Sequence, residues 1–416
     1  MRIIVVGAGI TGVATALILS RDGHDVTLID RIEPGNENQT SFGNAGILAA
    51  GSVIPVSVPG LLGKVPQMWL NKDGPLFFNP LHLPKFLPWL VPFLRNATPE
   101  GVRRIAAGLA PLVGDAVEQH EALAKGTRAA SYIRRGPYVH LYPSRAAFDA
   151  DKFSRDVRTE LGFTFDEYDR AALIERDPHL GPAHQYATAY HNQGWITWPS
   201  AYVAALSETF RETGGTFRAG EVVDITPLDG ARAAITIAGG ERLEADRAIL
   251  STGVWSGKLA DKLGHKAMMQ AERGYHLTLL NPSIKPPSPY MYAPAKLGVT
   301  PMEPGLRIGG LAEFAPIDAP AKQTPFAQIR RRAKMLYPDL EWDDETEWMG
   351  RRPSTPDSLP LVGASPKAPG IVLACGGQHL GLTMGAKVAR LAAGLASDKP
   401  TNIDMSPYRV DRFDAA

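Results

Sequence analysis

Six consecutive residues, Gly7-Ala8-Gly9-Ile10-Thr11-Gly12, stand between an apolar run, Ile3-Ile4-Val5-Val6, and a helical pattern from Val13 to Ser20. A second strand pattern, Asp25 to Ile29, ends on Asp30 and is followed by Arg31. Strand, glycine turn, helix, strand and acid in this order meet the needs of a dinucleotide. Gly7 permits the tight turn, Gly9 leaves bare backbone for a pyrophosphate, and Gly12 lets helix and strand pack closely. The helix start offers unpaired N–H groups around Ile10 and Thr11, and the positive end of the helix dipole. Asp30 is placed to accept hydrogen bonds from both ribose hydroxyls and to repel a 2′-phosphate. A glycine-rich turn of purely structural use is the alternative. Alone, the motif does not separate one dinucleotide from another.

The elements that position such a site are spread along the chain. A glycine-rich stretch, Ser41-Phe42-Gly43-Asn44-Ala45-Gly46, follows the first βαβ unit. Next comes a proline-rich apolar region whose densest part runs from Leu81 to Leu94, and its prolines argue against one continuous helix. Helical patterning resumes from Pro99 to Ala124, and a strand pair is expected between Tyr132 and Tyr142. His191, Trp195 and Trp198 precede an amphipathic helix starting at Pro199 and read more as core than as pocket lining. Strands follow at Glu221 to Ile225 and at Arg247 to Leu250, the latter closing on Thr252-Gly253-Val254-Trp255. From Gly274 to Phe314 strand-like segments alternate with Pro and Gly turns, which reads as antiparallel sheet. A helix is expected over Thr324 to Leu336, a strand over Ile371 to Ala374, and a last helix from Leu382 to Ala396 after Gly376-Gly377.

The totals bound the rest. With 416 residues and 44% hydrophobic content, two or three packed domains are expected rather than disorder. Lys plus Arg is 44 against Asp plus Glu 43, so charge makes no case for nucleic acid. A single cysteine, Cys375, excludes an internal disulfide and cysteine-based metal centres, and no metal is expected. The first strand begins at Arg2, and no uncharged apolar run reaches about 18 residues, so a cytoplasmic protein is expected. The reading is an α/β fold: a Rossmann-like domain from 1–50, 150–175, 196–265 and 345–416, with an inserted antiparallel-sheet substrate domain from 51–149, 176–195 and 266–344.

Four separated motifs carry a resemblance to the D-amino-acid oxidase superfamily of flavoproteins, within it to the bacterial D-amino-acid dehydrogenases, including D-hydroxyproline dehydrogenases. They are Gly7 to Gly12 with Asp30; Thr40 to Gly46; Glu272-Arg273-Gly274-Tyr275-His276-Leu277; and Gly350-Arg351-Arg352-Pro353 through Gly363, with Gly376 to Thr383 behind it. The resemblance implies FAD. It places Ser41, Asn44, Ala45 and Gly46 at a second pyrophosphate-side turn, Val223 on a middle strand against adenine, and Thr252, Gly253 and Trp255 beside the pyrophosphate. Gly377, Gln378, His379, Leu380, Gly381, Leu382 and Thr383 would meet the isoalloxazine, where N–H groups and a helix dipole suit the negative charge of reduced flavin. Members of the branch often carry His where this chain has Gly377, and His379 stands two positions later.

The implied reaction moves hydride from the α-carbon of an amino acid to flavin N5, after which the imine hydrolyses, or persists if cyclic. The protein must hold the substrate carboxylate, and a guanidinium does so bidentately. The resemblance points to Arg352, with Arg351 facing the other way in an extended segment. Tyr275 either meets substrate or is a half-buried strand residue. His276 faces away from Tyr275, so one of the pair is expected to reach substrate. His379 either contacts substrate or flavin, or bonds the backbone; Arg273 reads equally as a sheet-edge ion pair. Cys375 reads as a small buried hydrophobe. Electrons pass to a quinone or other carrier, or to oxygen in a glycine- or sarcosine-type oxidase, and segment 75–94 is the candidate membrane-surface or quinone contact. A flavin-binding relative without catalysis is the remaining alternative.

Overall fold

The computed structural model describes residues 1–60, 76–78 and 83–415. Strand β1 (Arg2–Val6) is a run of β-branched residues whose Ile3, Ile4, Val5 and Val6 are at most 2% exposed, as expected of a parallel strand covered on both faces. Helix α1 (Ile10–Arg21) returns the chain to β2 (Asp25–Asp30), parallel to β1. Four further strands complete a six-stranded sheet ordered Thr216–Ala219, β2, β1, Arg247–Leu250, Ala368–Cys375, Leu361–Ser365, with only the last antiparallel. Helix α1 packs between the Pro199–Glu212 and Gly385–Ala396 helices. β1 and its neighbours therefore aim their carboxyl ends, and the glycine turn, at one edge, where α/β sheets bind ligands.

The second body is a nine-stranded, largely antiparallel sheet among the described residues. Its functional edge is β3 (Gln270–Leu280) between β4 (Leu306–Phe314) and β5 (Asp344–Ser354). Helix α2 (Gln323–Leu336) buries Phe326, Ile329, Ala333 and Leu336 against Tyr275, Leu277 and Leu279 on one face. Alternation puts Glu272, Gly274 and His276 on the other face, towards the first sheet.

Several elements depart from the sequence reading. Residues 83–95 form one helix, with Pro88 and Pro92 inside it. Pro84, Pro88 and Pro92 are four apart, so they share the solvent stripe with Leu87 and Val91, which are 46% and 43% exposed. On the opposite face Phe86 and Trp89 stack at 5.1 Å, Trp89 and Phe93 at 4.8 Å, with Phe314 4.8 Å from Phe86. Burying three aromatics, each worth about 1.5–3 kcal/mol, outweighs two missing helix bonds. The rest of segment 75–94, residues 75 and 79–82, lies outside the described residues. Residues 150–175, read with the nucleotide domain, contribute Phe165–Tyr168 to the large sheet, and 345–354 run within β5 there. Residues 99–124, read with the substrate domain, pack Ile105, Leu109 and Val117 into the core under α1. No described helix is long and apolar enough to cross a membrane.

Candidate active site

One cleft of about 1290 Å³ runs from the glycine turn to the face of β3, lined by both sheets. At its nucleotide end Gly7 has φ +99°, and a Cβ there would lie 2.5 Å from the Ser251 carbonyl oxygen, so only glycine is accommodated. A Cβ on Gly12 would lie 1.7 Å from the Gly7 oxygen. Asp30 accepts from the Ala8 N–H at 2.6 Å, which fixes its carboxylate beside the turn. The Ser41 hydroxyl accepts from the Ile10 N–H at 3.0 Å, tying the second turn to the start of α1. The Asn44 side chain accepts from the Gly46 N–H at 2.9 Å and shapes that turn. Gly9, Thr11, Ala45, Thr252, Gly253 and Trp255 line the same end, with Arg31 stacked over the Trp255 ring at 4.8 Å. Val223 also lines the cleft, but it sits in the antiparallel Val222–Leu228 strand of a three-stranded sheet, not in the parallel one. A ladder bulge between Val222 and Asp224 takes it out of register, and it is 43% exposed.

At the other end β3 and β5 align Glu272 with Arg352, Gly274 with Gly350 and His276 with Trp348. Arg352 Nη1 donates to Glu272 Oε1 at 2.6 Å, and Ser354 Oγ donates to Glu272 Oε2 at 2.9 Å. The guanidinium lies flat on β3: a Cβ on Gly274 would be 2.5 Å from Nη2, 2.6 Å from Cζ and 2.7 Å from Nε. Burial alone would raise the Glu272 carboxyl, but the Arg352 charge, with His379 and two hydrogen bonds, brings it below its ordinary value. Arg351 faces away, its Nε donating to the Ile317 oxygen at 2.6 Å. Trp89 of the proline helix donates to the Ser354 carbonyl at 2.9 Å and roofs this end.

The two aromatic candidates part as alternation requires. His276 stacks on Trp348 at 4.9 Å, and its Nδ1–H donates to the Gly43 oxygen at 3.0 Å. Burial first, then Arg307, holds it neutral. The Tyr275 hydroxyl instead donates to Glu313 at 2.6 Å on the face covered by α2, where fully buried Arg273 pairs with Glu313 at 3.1 Å. The Tyr275 hydroxyl thus belongs to this buried cluster, while the residue also lines the cleft. Sequence reasoning missed Glu272, although it heads the same motif, because its partner stands 80 residues away. It also missed Arg307 of β4, 4% exposed, which clamps the carbonyls of Phe42 and Asn44 at 3.0 and 2.8 Å.

Gly376 to Thr383 forms the floor between the two ends. Gln378 donates to Thr355 Oγ1 at 2.7 Å and leaves neighbouring His379 turned to the cleft. Although surrounded by protein, His379 is solvent-exposed through the cleft; burial lowers its pKa against the opposing pull of Glu272. A Cβ on Gly377 would lie 2.8 Å from Gly381 Cα, so a side chain there would require the loop to shift. Beneath the loop, wholly buried His120 bonds the Leu382 oxygen through Nε2 and the Tyr202 hydroxyl through Nδ1, both at 2.8 Å. A carbonyl only accepts, so Nε2 carries the proton and Nδ1 accepts from Tyr202. Pulling the Leu382 carbonyl inward turns the Thr383 N–H the opposite way, because the two are antiparallel in a trans peptide. Among the described residues the N–H groups of Gly381, Leu382 and Thr383 bond no acceptor. Cys375 lies buried below, its thiol pushed up to about 12 by burial, and His191, Trp195 and Trp198 are not part of the cleft wall. Among the described residues no cluster suited to a metal is present.

A glycine-turn cradle at one end of a cleft and an arginine-bearing sheet at the other suit an enzyme that uses a dinucleotide cofactor. The chain belongs to the FAD dependent oxidoreductase (DAO) family, whose model matches residues 2–395. It is 34% identical to a D-amino-acid oxidase of Bradyrhizobium diazoefficiens, over 99% of each chain. It is 28% identical to a D-amino acid dehydrogenase of Sinorhizobium medicae, over 99% of this chain and 100% of that one. Its fold matches glycine oxidase from Geobacillus kaustophilus with a TM-score of 0.78 at 20% identity, each chain 99% covered. The cofactor is FAD, and the site fits it. The cleft runs from the cradle to the far loop, the cradle admits no Cβ at Gly7 or Gly12, and the loop presents three N–H groups with no acceptor among the described residues.

Proposed function

We propose that the chain oxidises a D-amino acid, primary or cyclic and secondary such as a hydroxyproline, with Arg352 holding the α-carboxylate. The observation that carries this reading is the Arg352 guanidinium laid flat over Gly274 in the cleft wall, with Nε and Nη2 unbonded among the described residues. FAD, when bound, supplies the hydride acceptor. The protein's part is positioning. Glu272 and Ser354 fix the guanidinium from behind, so a carboxylate meets a preset fork. His379 and His276 line the space between Arg352 and the second turn as neutral imidazoles. The cradle of Gly7, Gly9, Ile10, Thr11 and Gly12, with Asp30, holds the nucleotide, the turn of Ser41, Asn44, Ala45 and Gly46 lies on the pyrophosphate side, and Gln378 to Thr383 meet the ring system. The aromatic helix over Ser354 excludes water from the site.

Electrons leave to a quinone or other carrier, and the exposed stripe of Pro84, Leu87, Pro88 and Val91 supports contact with an apolar acceptor or membrane surface. Oxygen is the second reading, favoured by the 34% identity to a protein named an oxidase. Anaerobic mixing of the yellow holoprotein with a panel of D-amino acids, including cis-4-hydroxy-D-proline, tests the substrate. Bleaching of the flavin band is expected, and no bleaching by any member refutes the reading. Readmitting air or a soluble quinone to the bleached protein then distinguishes the acceptors by which restores the colour.

A further inference from the structure

Arg352 is not a free cation. Its Nη1 is 2.6 Å from Glu272 Oε1, and Glu272, 5% exposed, is held in place by Ser354 at 2.9 Å. The two residues are direct cross-strand partners, so backbone register rather than chance side-chain approach joins them. Both line the cleft. The pair is net neutral, and a ligand carboxylate that reaches Nε and Nη2 enters the field of a second, buried carboxylate. Desolvated like charges repel strongly. A ligand that brings a positive group alongside its carboxylate cancels that repulsion and gives Glu272 a partner for its remaining lone pairs.

We propose that Glu272 is a specificity-determining residue that makes the site select zwitterions over plain carboxylic acids. Recognition is shared: Arg352 takes the carboxylate, and Glu272 rewards the ammonium beside it. The proposal rests on the reading of Arg352 as the carboxylate binder. Were Glu272 only a brace for Arg352, neutralising it without changing its shape would weaken or leave unchanged the binding of every carboxylate. A charge filter has the opposite consequence, because removing the negative charge helps ligands that lack an ammonium.

The test is a titration of the flavin spectrum of the holoenzyme with two ligands of one shape. Neither has a hydrogen on Cα and so neither is oxidised: 2-aminoisobutyrate, a zwitterion, and pivalate, in which methyl replaces the ammonium. The wild type should bind 2-aminoisobutyrate at least about tenfold more tightly than pivalate, and equal or reversed affinities overturn the proposal. In Glu272→Gln, an isostere that still accepts from Arg352, pivalate should bind at least about tenfold more tightly than in wild type and the preference should collapse. Unchanged or weaker pivalate binding there overturns the proposal equally. Should that variant fail to retain FAD, the wild-type comparison decides alone. If pivalate still binds Glu272→Gln after Arg352→Met is added, the reading of Arg352 has failed rather than that of Glu272.

Discussion

Gly274→Ala is a one-carbon change that reaches the proposed carboxylate-binding end of the cleft. Its added Cβ would fall 2.5–2.7 Å from Nη2, Cζ and Nε of Arg352. Ordinary carbon contacts begin near 3.5 Å, so the guanidinium must retreat by about 1 Å. The clash is with the far end of a flexible side chain, and the backbone at 274 is not in the left-handed region. Alanine in a strand interior also recovers about 0.5–1 kcal/mol relative to glycine. Net stability should therefore stay within about 1 kcal/mol and the melting temperature within roughly 3 °C. A 1 Å misplacement of a positioning group costs about 10²-fold, near 2.7 kcal/mol of barrier. The assay is anaerobic single-turnover bleaching at subsaturating substrate, with FAD content and melting temperature measured on the same preparation. A fully flavinylated, normally stable variant that bleaches within threefold of wild type refutes the placement of Arg352. Loss of FAD or of fold would refute the claim that this glycine serves the arginine.

Other outcomes follow from the same geometry. Arg352→Lys keeps the charge but loses the fork, and kcat/KM should fall by about 10²-fold while FAD content is unchanged, as read by steady-state kinetics and absorbance. Gly12→Ala puts a Cβ 1.7 Å from the Gly7 carbonyl oxygen and should yield protein that no longer retains FAD through gel filtration. His120→Leu strands the Leu382 carbonyl and Tyr202 hydroxyl, so the FAD dissociation constant should rise and stability drop by about 1–3 kcal/mol, whereas His120→Gln, with one donor and one acceptor, should recover most of both. Burial lowers the His120 pKa to about 4, so the unfolded chain binds the extra proton first as pH falls from 6.5. This residue's share of stability is thus intact above pH 6.5 and is lost between there and about pH 4, on the order of 3 kcal/mol, and denaturant titrations of His120→Gln should show a shallower acid slope.

What was legible in the sequence is what is contiguous. Gly7 to Gly12 and Gly376 to Thr383 each carry their own chemistry in a few residues, because a turn and the helix behind it are local structures. The βαβ unit, α2 and the antiparallel sheet after Gly274 follow from periodicity for the same reason. The Arg352 end of the cleft was half legible. Arg352 stood out through its neighbours, and alternation separated His276 from Tyr275, but which face α2 would cover is set by packing distant in the chain. Glu272 acquires meaning only once β3 and β5 pair in register. The helix through Pro88 and Pro92 ran against propensity because its aromatic face buries against Phe314 of β4, a contact that no local rule contains. The strand at Val223 was legible, but which sheet it joins was not, because a short apolar strand looks alike in either kind of sheet.

The most direct test of the proposal that the cleft holds FAD and places a D-amino-acid carboxylate on Arg352 is anaerobic rapid mixing of the holoenzyme with the two enantiomers of one amino acid. Bleaching by the D-form alone, and its loss in an Arg352→Met variant that still carries FAD, is the predicted result. Equal bleaching by both enantiomers, or undiminished bleaching of the variant, would contradict the account.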